Sequence, residues 1–375
     1  MKIIIAHGGD ISNLEGPTIR IMGFMDAMLN NDFDVELVVP TPKNNIPKEL
    51  DNVLIHEVPI KARGIANQPL RALYISNFAK KIANKSKGFL QIEHATLGGF
   101  ASLVGCKDYV LDMHDLSFSS PLFGSIPLAP EFIYRIERIA VKRAQKVIVV
   151  SNRMKDFISK EWGAKREDIY VIPNGYFKEK IAENIKKINN PYEDAVCFLG
   201  SLHPKLDVKK FVLVGKLLKH RGGSLYIIGD GSIRKSLEAE MRSHGLDNVI
   251  FTGRIPDIDM YRLIAKSKVA ILPERYSIHT SVSCPVKLFD YAALGIAIVA
   301  DNISETCELF RENNAALISD PDDSREFLQN VEVLLDSEVQ RNELATNAKR
   351  LVENFSWYNQ GNKLVQIYRN LECLK

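Results

Sequence analysis

The stretch AVCFLGS at residues 195–201 decides the fold class, because a short apolar run ends there directly in a glycine turn. The same arrangement returns in LYIIGDG at residues 225–231. Apolar runs of this length are typical of buried parallel strands, and a helical pattern follows each of them. Strands that alternate with helices in this way indicate βαβ units, and hence parallel sheets that are covered by helices on both faces.

Two series of such units run along the chain. The predicted strands of the first series are Lys2–Ala6, Asp34–Val39, Phe89–Glu93, Tyr109–Asp112 and Lys146–Val150. Those of the second series are Ala195–Leu199, Ser224–Ile228, Val249–Phe251, Val269–Leu272, Ala297–Val299 and Ala315–Ile318. A turn signature at Pro173–Gly175 and a polar stretch separate the two series. We therefore predict an N-terminal domain over residues 1–175, a linker over 176–192, a C-terminal domain over 193–354, and a helix within 355–375 that packs on the N-terminal domain.

Composition and charge exclude several classes of protein. The 375 residues are 46% hydrophobic and 25% charged, which is typical of globular domains, and the net charge of +3 is too small to indicate nucleic-acid binding. Five scattered cysteines without a C-x-x-C pair argue against a disulfide framework and a cysteine-built zinc site. The opening apolar run is too short for a signal peptide, and no run approaches the length of a membrane-spanning helix. These features predict a cytoplasmic protein, either soluble or attached peripherally to the inner face of the membrane.

Polar residues follow two strands of the first series, where an open parallel sheet binds its ligands. HGGD at residues 7–10 and EGPTIR at 15–20 lead from the first strand into a helix, whose free N–H groups suit a phosphate. A tight turn without a ligand explains the same glycines. In VLDMHD at residues 110–115, His114 could exchange a proton or bind a substrate oxygen, or it could satisfy local backbone groups. His94 has the same two interpretations.

The second series carries lysines beside glycine turns and a helix start. FLGSLHPK at residues 198–205 places Lys205 just beyond such a turn, which suits a diphosphate. In SVSCPVKLFDYAALG at residues 281–295, Lys287 and Asp290 share one face of a helix that begins at a proline. There, N–H groups and Lys287 could hold a diphosphate while Asp290 accepts hydrogen bonds from ribose hydroxyls. A surface ion pair between Lys287 and Asp290 is the alternative.

In their order and spacing these motifs resemble the retaining glycosyltransferases of family 4, within the glycosyl transferases group 1, which have the GT-B fold. The residues that carry the resemblance are Gly16 with Arg20, Met113–Asp115, Arg138 with Ala144, Val150–Ser151, Ile172–Gly175, Phe198–Ser201 with Lys205, Ile227–Gly231, Val249–Ile255, Pro285–Gly295 and Phe355–Trp357. The resemblance implies an α/β protein of two Rossmann-like, doubly wound parallel-sheet domains that face an interdomain cleft.

The resemblance also implies a function: a hexosyltransferase type of enzyme, independent of metal and cofactor, that moves a sugar from a UDP or GDP type of nucleotide-diphosphate sugar to a glycan or lipid-linked acceptor. The second domain would bind the donor, and the first the acceptor. His114 would contact the transferred sugar, and the leaving phosphate would accept the acceptor's proton in a front-face attack that retains configuration. The implied donor-binding residues are Gly16 and Gly229, Ser201, Lys205 and Lys287 at the diphosphate, Arg254 and Ile255 at the base, and Leu288 with the ribose-binding Asp290.

Two positions depart from the pattern of the family. The usual pair of glutamates eight positions apart is represented here by Val282 and Asp290. Asp290 can still accept hydrogen bonds, whereas Val282 offers no carboxylate to a sugar hydroxyl. The arginine often found after the glycine turn is Ser201, which leaves more of the phosphate charge to Lys205. Activity is expected despite both changes.

The segment 59–92 carries seven basic and no acidic residues before Glu93, with apolar neighbours. These basic residues are Lys61, Arg63, Arg71, Lys80, Lys81, Lys85 and Lys87. A basic amphipathic helix suits an anionic membrane surface, and a solvated helix packed on a sheet explains the pattern equally well. The apolar loop at residues 118–130 could line an acceptor channel, touch lipid or be buried. Nothing in the segment supplies a platform for stacking bases, so no nucleic-acid partner is expected.

Two other functions share this architecture and type of donor. A sugar-nucleotide 2-epimerase would convert the donor without an acceptor. A non-catalytic nucleotide-sugar-binding protein would keep the donor pocket without turnover, and the departures at Val282 and Asp290 keep that alternative open.

Overall fold

The computed structural model describes residues 1–60, 67–124, 126–186 and 193–373, and it divides into two compact units. The first unit comprises Met1–Gly175, Val282–Cys284 and Trp357–Lys375. The second unit comprises Tyr176–Ser281 and Pro285–Ser356. Within the segment predicted to be a linker, Lys178–Ile185 form a helix of the second unit, and residues 187–192 lie outside the described residues.

Each unit is built on a parallel sheet. Over the described residues the strands are β1 (Lys2–Ala6), β2 (Asp34–Pro40), β3 (Leu54–Val58), β4 (Phe89–Glu93), β5 (Val110–Met113), β6 (Lys146–Val149), β7 (Ile169–Val171), β8 (Ala195–Leu199), β9 (Ser224–Ile228), β10 (Val249–Gly253), β11 (Val269–Leu272), β12 (Ala297–Asp301) and β13 (Leu317–Ser319). The order is β3-β2-β1-β4-β5-β6-β7 in the first unit and β10-β9-β8-β11-β12-β13 in the second. Neighbouring strands run parallel throughout both sheets.

Helices connect the strands. Those of the described chain are α1 (Gly16–Leu29), α2 (Gln68–Ser86), α3 (Ala95–Leu103), α4 (Ala129–Arg143), α5 (Asn152–Trp162), α6 (Lys178–Ile185), α7 (Val208–Arg221), α8 (Arg234–Ser243), α9 (Asp257–Lys266), α10 (Ile278–Ser281), α11 (Val286–Leu294), α12 (Glu305–Glu312), α13 (Ser324–Asp336), α14 (Glu338–Val352) and α15 (Trp357–Glu372). None of them is both long enough and apolar enough to cross a membrane. The prediction of two doubly wound parallel-sheet domains is confirmed.

The C-terminal helix α15 packs against α1 within the first unit. The two helices approach closely: a Cβ atom on Gly23 would lie 2.3 Å from the indole ring of Trp357. Trp357 is buried there, and its ring meets Phe24 edge-on. Tyr368 of α15 reaches the sheet, where its hydroxyl donates to Gln91 over 2.7 Å. The core of the first unit therefore contains residues from both the N-terminal and the C-terminal parts of the chain.

Both sheets reverse their strand order at an internal pair, which is β1 and β4 in the first unit and β8 and β11 in the second. Ligands of open α/β sheets bind beyond the carboxyl ends of the strands at such a reversal. The residues that follow β1, β4, β8 and β11 are therefore the first places to look for chemistry.

Candidate functional site

Three histidines follow the central strands of the first sheet. His7 comes after β1, His94 after β4 and His114 after β5. The ring centroids of His94 and His114 lie 5.4 Å apart, and the ring planes are inclined at 61° to each other. Neither ring nitrogen of His114 has a hydrogen-bond partner among the described residues, and both nitrogens are shielded from solvent. The imidazole of His114 thus retains its hydrogen-bonding capacity at the edge of the sheet where a ligand is expected.

The surroundings give these histidines different protonation states. His94 lies 2.9 Å from Asp115 and 2.9 Å from Ser117 Oγ. Burial alone would lower the pKa of His94, but Asp115 and Glu137 raise it to about 9. Burial, reinforced by the charge of His94, lowers the pKa of His114 to about 4, and the same influences lower that of His7 to about 3. At neutral pH one charged imidazole therefore stands beside two neutral ones.

Gly16 is the first residue of α1 and is exposed. Glu15 precedes it in extended backbone, and no side chain caps the helix. The first N–H groups of a helix lack partners within the helix, and they carry partial positive charge. The placement of Gly16 is thus compatible with an N–H contact to a phosphate, which stays a prediction.

Beneath these residues, Arg20 of α1 forms a buried ion pair with Asp112 of β5. Its Nε and Nη2 donate to the two oxygens of Asp112 over 2.7 and 2.8 Å, and both side chains are fully buried. Its Nη1 donates over 3.0 Å to the Ile172 carbonyl and over 3.0 Å to Asn174 Oδ1. Sequence analysis gave Arg20 no role beyond the motif, yet it connects α1, the strand that leads to His114 and the end of the first series.

Glu93, Asp112 and His114 could bring three ligand atoms within 4.8 Å of one another. Arg20, however, already occupies both oxygens of Asp112 and places a cation in the cluster. Burial and the neighbouring Asp112 raise the pKa of Glu93 well above its usual value. The buried ion pair of Arg20 with Asp112 and the raised pKa of Glu93 suit hydrogen bonding within the protein better than a divalent cation.

In the second unit, the loops after β8 and β9 meet backbone to backbone. Gly200 and Gly229 adopt φ angles of 142° and 132°, which favour glycine. A Cβ atom on Gly229 would lie 2.2 Å from the carbonyl oxygen of Gly200. The strand-to-glycine motif thus exists because two loops pack too closely for side chains. Ser201 follows Gly200 and is partly exposed.

Lys205 and Lys287 meet at the reversal of the second sheet. Lys205 lies in the loop after β8, and Lys287 is near the start of α11. Both pair with Glu274, which follows β11: Lys205 Nζ lies 3.1 Å from Oε2 and Lys287 Nζ lies 3.2 Å from Oε1. Glu274 is fully buried, whereas the lysine side chains keep 24% and 14% of their exposure. The structure brings together the two lysines that the sequence placed at a diphosphate, and it adds a carboxylate that sequence analysis missed.

Asp290 does not form the ion pair with Lys287 that was considered as an alternative, because Lys287 pairs with Glu274. Asp290 faces α6 and α9, where Lys180 and Asp257 form an ion pair with an N–O distance of 2.6 Å. Burial raises the pKa of Asp290 to about 7; Asp257 reinforces this shift and Lys180 opposes it. Asp290 can therefore accept hydrogen bonds as a carboxylate above neutral pH.

The remaining predicted donor residues have different surroundings. Arg254 is exposed and Ile255 partly exposed, directly after β10. Leu288 is a core residue: its side chain is fully buried and its N–H donates to the Pro285 carbonyl, so its placement does not support a donor contact. Val282 is buried within the first unit, and its carbonyl accepts a hydrogen bond from Ser151 Oγ.

Two family models match this chain. The model described as "Glycosyltransferase Family 4" matches residues 15–179, and "Glycosyl transferases group 1" matches residues 180–351. The division between the matches falls close to the start of the second unit at Tyr176. The matches therefore assign one model to each sheet.

Individual proteins of this type are similar to the chain. A Bacillus subtilis protein named for glycosyl transfer in teichuronic acid biosynthesis is 26% identical over 57% of this chain, which spans only 56% of that relative. The UDP-Gal:alpha-D-GlcNAc-diphosphoundecaprenol alpha-1,3-galactosyltransferase of Escherichia coli is 22% identical, over 98% of this chain and 97% of its own. Anabaena HepE, crystallised with UDP-glucose, superimposes with a TM-score of 0.70 at 16% identity, over 99% of this chain and 100% of its own. By its two sheets and its two family models, the chain belongs to the GT-B glycosyltransferases.

Proposed function

We propose that this protein is a retaining glycosyltransferase that moves a hexose from a UDP- or GDP-sugar to a glycan or lipid-linked acceptor. The observation that carries the proposal is the pair of partly exposed lysines, Lys205 and Lys287, at the strand reversal of the second sheet. A reversal of strand order marks the ligand-binding edge, and two ammonium groups beside a helix start suit a diphosphate. The UDP-sugars in the names of two similar proteins support the class of donor.

The chemistry proposed for these groups is electrostatic. When the sugar–phosphate bond breaks, the diphosphate gains negative charge, which Lys205 and Lys287 stabilise without the need for a metal ion. The carboxylate of Asp290 accepts hydrogen bonds from the ribose. His114, neutral at pH 7, donates a hydrogen bond to a hydroxyl of the transferred sugar. The departing phosphate accepts the proton of the acceptor hydroxyl, and configuration at the anomeric carbon is retained.

A binding screen of the purified protein against UDP, GDP, ADP and their sugar conjugates tests the proposal. Selective binding of one nucleotide sugar is the expected result, and NMR of the product made with that donor reports the anomeric configuration. Conversion of the donor without an acceptor would instead assign a sugar-nucleotide 2-epimerase. Binding without turnover against a broad set of acceptors would favour a non-catalytic role, and a folded protein that binds none of the nucleotides would contradict the proposal.

Lys287→Ala is expected to raise the dissociation constant of the selected donor roughly 10- to 150-fold. A hydrogen bond to a charged group contributes about 1.5–3 kcal/mol, and Lys287 has only 14% of its side chain exposed to screening solvent. Isothermal titration calorimetry measures the change. Lys216→Ala, which removes an exposed lysine from α7, is the matched control and should leave the affinity unchanged. Equal affinities for both variants would remove Lys287 from the donor site.

The acceptor side of the proposal concerns the face of α2. Ile75, Ala79 and Ala83 are buried, so one side of this helix packs into the first unit. Leu70 and Tyr74 are exposed at 46% and 58%, and exposed lysines continue toward the end of the helix, beginning with Lys81. One side of α2 therefore packs into the first unit, and its exposed side carries both apolar residues and lysines. A lipid-linked acceptor, such as the one named for the Escherichia coli relative, would be reached by peripheral contact of this face with an anionic membrane.

The structure changes which basic residues belong to this face. Lys80 does not belong to the basic face of α2, because its Nζ donates a hydrogen bond to the Val104 carbonyl over 2.7 Å at the end of α3. Lys61 and Arg63 lie outside the described residues. In the loop at 118–130, Phe118 packs among Tyr134, Phe157 and Trp162, whereas Leu128 is 83% exposed. Lys81, Lys85 and Lys87 remain as exposed cations at the C-terminal end of α2.

Changing Lys81, Lys85 and Lys87 together to alanine is expected to weaken binding to anionic liposomes at least tenfold. Each cation near such a surface contributes about 1 kcal/mol, and the effect should fade as salt is added. Sedimentation with liposomes of stated anionic content measures it. The control changes Lys142, Lys160 and Lys165, which are exposed elsewhere in the first unit and carry the same total charge. Unchanged sedimentation, or an equal loss in both triple variants, would contradict the role of α2.

A further inference from the structure

Glu274 has an environment that its sequence neighbours do not predict. It follows the buried strand β11, its side chain has no exposure, and each of its carboxylate oxygens lies near a different lysine. Its backbone is fixed as well, since it bridges to Leu206 in the loop that carries Lys205. A buried carboxylate that joins two loops at a strand reversal therefore sets where both ammonium groups stand.

The electrostatics of the three groups depend on one another. Burial alone would raise the pKa of Glu274, but Lys205 and Lys287 lower it to about 2, so that it remains ionised. Burial lowers the pKa of Lys287, as does the charge of Lys205, and Glu274 opposes both influences. Without the carboxylate, two like charges would share a largely dry site, and the ammonium of Lys287 would be the one to lose its proton.

A neighbouring pair shows how a purely structural ion pair differs from this arrangement. Lys210 and Asp301 lie 2.5 Å apart, and both side chains are fully buried, so neither can meet a ligand. Lys205 and Lys287 instead keep part of their surface while their carboxylate has none. Both lysines are thus paired with a buried carboxylate while their side chains stay partly exposed, as the binding of an incoming anion requires.

We propose that Glu274 is a positioning residue that holds Lys205 and Lys287 side by side as a preformed clamp for the diphosphate of the donor. The proposal rests on the proposed function and assigns a role to a residue outside the motifs that the sequence displayed. Such a clamp binds its anion without first having to bring two mutually repelling side chains together. Because Glu274 compensates only one of the two positive charges, the clamp keeps a net charge of +1 for the diphosphate.

The pH dependence of donor binding tests this role, with UDP-glucose as the probe. Its diphosphate is a diester and does not titrate near neutral pH. As the pH rises above neutral, affinity is lost when Lys287 loses its proton, and Glu274→Gln is expected to lower the midpoint of that loss by at least one pH unit. In Glu274→Gln with Lys287→Arg the lowering of the midpoint should disappear, because a guanidinium stays protonated where a lysine titrates. A residue that only supported the fold would move the melting temperature and leave the midpoint in place.

Among the described residues, the other ionisable groups that face Glu274 are the Tyr291 hydroxyl, the Cys307 thiol and Asp301. Burial raises the pKa of Tyr291 well above its usual value and that of Cys307 to about 11. Burial also raises the pKa of Asp301 to about 8, while its partner Lys210 opposes the shift. These groups, Asp290 and the uracil ring are present in every titration, so the difference in midpoint between the two proteins reports Glu274.

The outcomes separate the two levels of the proposal. A wild-type protein that binds neither UDP-glucose nor any other nucleotide of the screen overturns the proposed function and the clamp with it. The clamp alone is overturned by a different result. In that case the wild-type protein binds UDP-glucose, or the nucleotide sugar that the screen selects in its place, but the midpoint of folded Glu274→Gln shifts by less than one pH unit. If Glu274→Gln does not fold, Glu274→Asp replaces it. Its carboxylate is one methylene shorter and cannot reach both lysines, so its midpoint should also be lowered by one unit or more, and a smaller shift overturns the clamp.

Discussion

Arg20→Met is expected to lower the free energy of unfolding of the first unit by about 3–5 kcal/mol. The substitution keeps an apolar side chain of similar length on α1 but leaves the fully buried carboxylate of Asp112 without its cation, which is the costly way to break a buried ion pair. Arg20 also donates to the Ile172 carbonyl and to Asn174, and these acceptors lose a partner. Glu93 cannot replace the lost cation, since a carboxyl group offers no positive charge to the remaining anion, and burial together with Asp112 already raises its pKa.

The chain offers a selective probe for this experiment. Its two tryptophans, Trp162 and Trp357, are both buried in the first unit. Their fluorescence therefore follows the unfolding of that unit, while far-UV circular dichroism follows the helices of both. In urea, the midpoint of the fluorescence transition should fall while its slope stays unchanged, which marks a loss of stability rather than a change in the surface exposed.

Two further variants decide whether the ion pair is the cause. Arg135→Met makes the same substitution in a pair with Glu131, whose side chains are 74% and 59% exposed, and should cost less than about 1 kcal/mol. Arg20→Met with Asp112→Leu removes both buried charges and should recover about 2 kcal/mol or more of the loss. A single variant as stable as the wild type, or a double variant no better than the single, would contradict this account.

The strands that sequence analysis located correctly are those whose burial leaves a continuous apolar run. The strands β1, β4, β8, β9 and β11 match their predicted bounds, although β4 also contains Gln91 and Glu93, and the ends of the other predicted strands shift by one or two residues. The strand β3 was missed because LIHEV lies at the edge of the sheet, where Leu54 is exposed and His56 pairs with Glu36. Helix α6 was taken for linker because its sequence KEKIAENI is mostly polar, although Ile181 is buried.

The candidate site was predictable where a residue type follows a local signal. Lys205 stands beyond a glycine turn and Lys287 at a helix start, so both could be named from the sequence. The partners that fix such residues are a matter of tertiary structure. Asp112 lies 92 positions from Arg20, and Glu274 follows a strand with no motif around it, so neither pairing has a local signature. Sequence identified the groups that would meet a ligand, and the structure was needed to show what holds them.

His114→Ala is expected to lower turnover by a factor of about 10² to 10³ while changing the affinity for the donor less than threefold. Loss of one well-placed hydrogen-bond donor at a developing charge typically has an effect of that size. Both ring nitrogens of His114 are without a partner in the described part of the chain, so the substitution removes no bond that holds the protein together. The melting temperature should therefore stay close to that of the wild type. The loss of turnover would then report an effect on the reaction and not on the fold.

Steady-state kinetics with the selected donor and acceptor separate turnover from KM, and calorimetry gives the donor affinity. The matched control is His56→Ala, which removes a histidine of the same unit whose ring pairs with Glu36 at the edge of the sheet. It should lower stability and leave turnover unchanged, the reverse of the effect at His114.

Since burial and the charge of His94 lower the pKa of His114 to about 4, its imidazole is neutral at working pH and acts as a hydrogen-bond donor rather than a cation. An asparagine at this position keeps an N–H donor, so His114→Asn should retain more turnover than His114→Ala, and equal turnover in the wild type and His114→Ala would remove the role altogether.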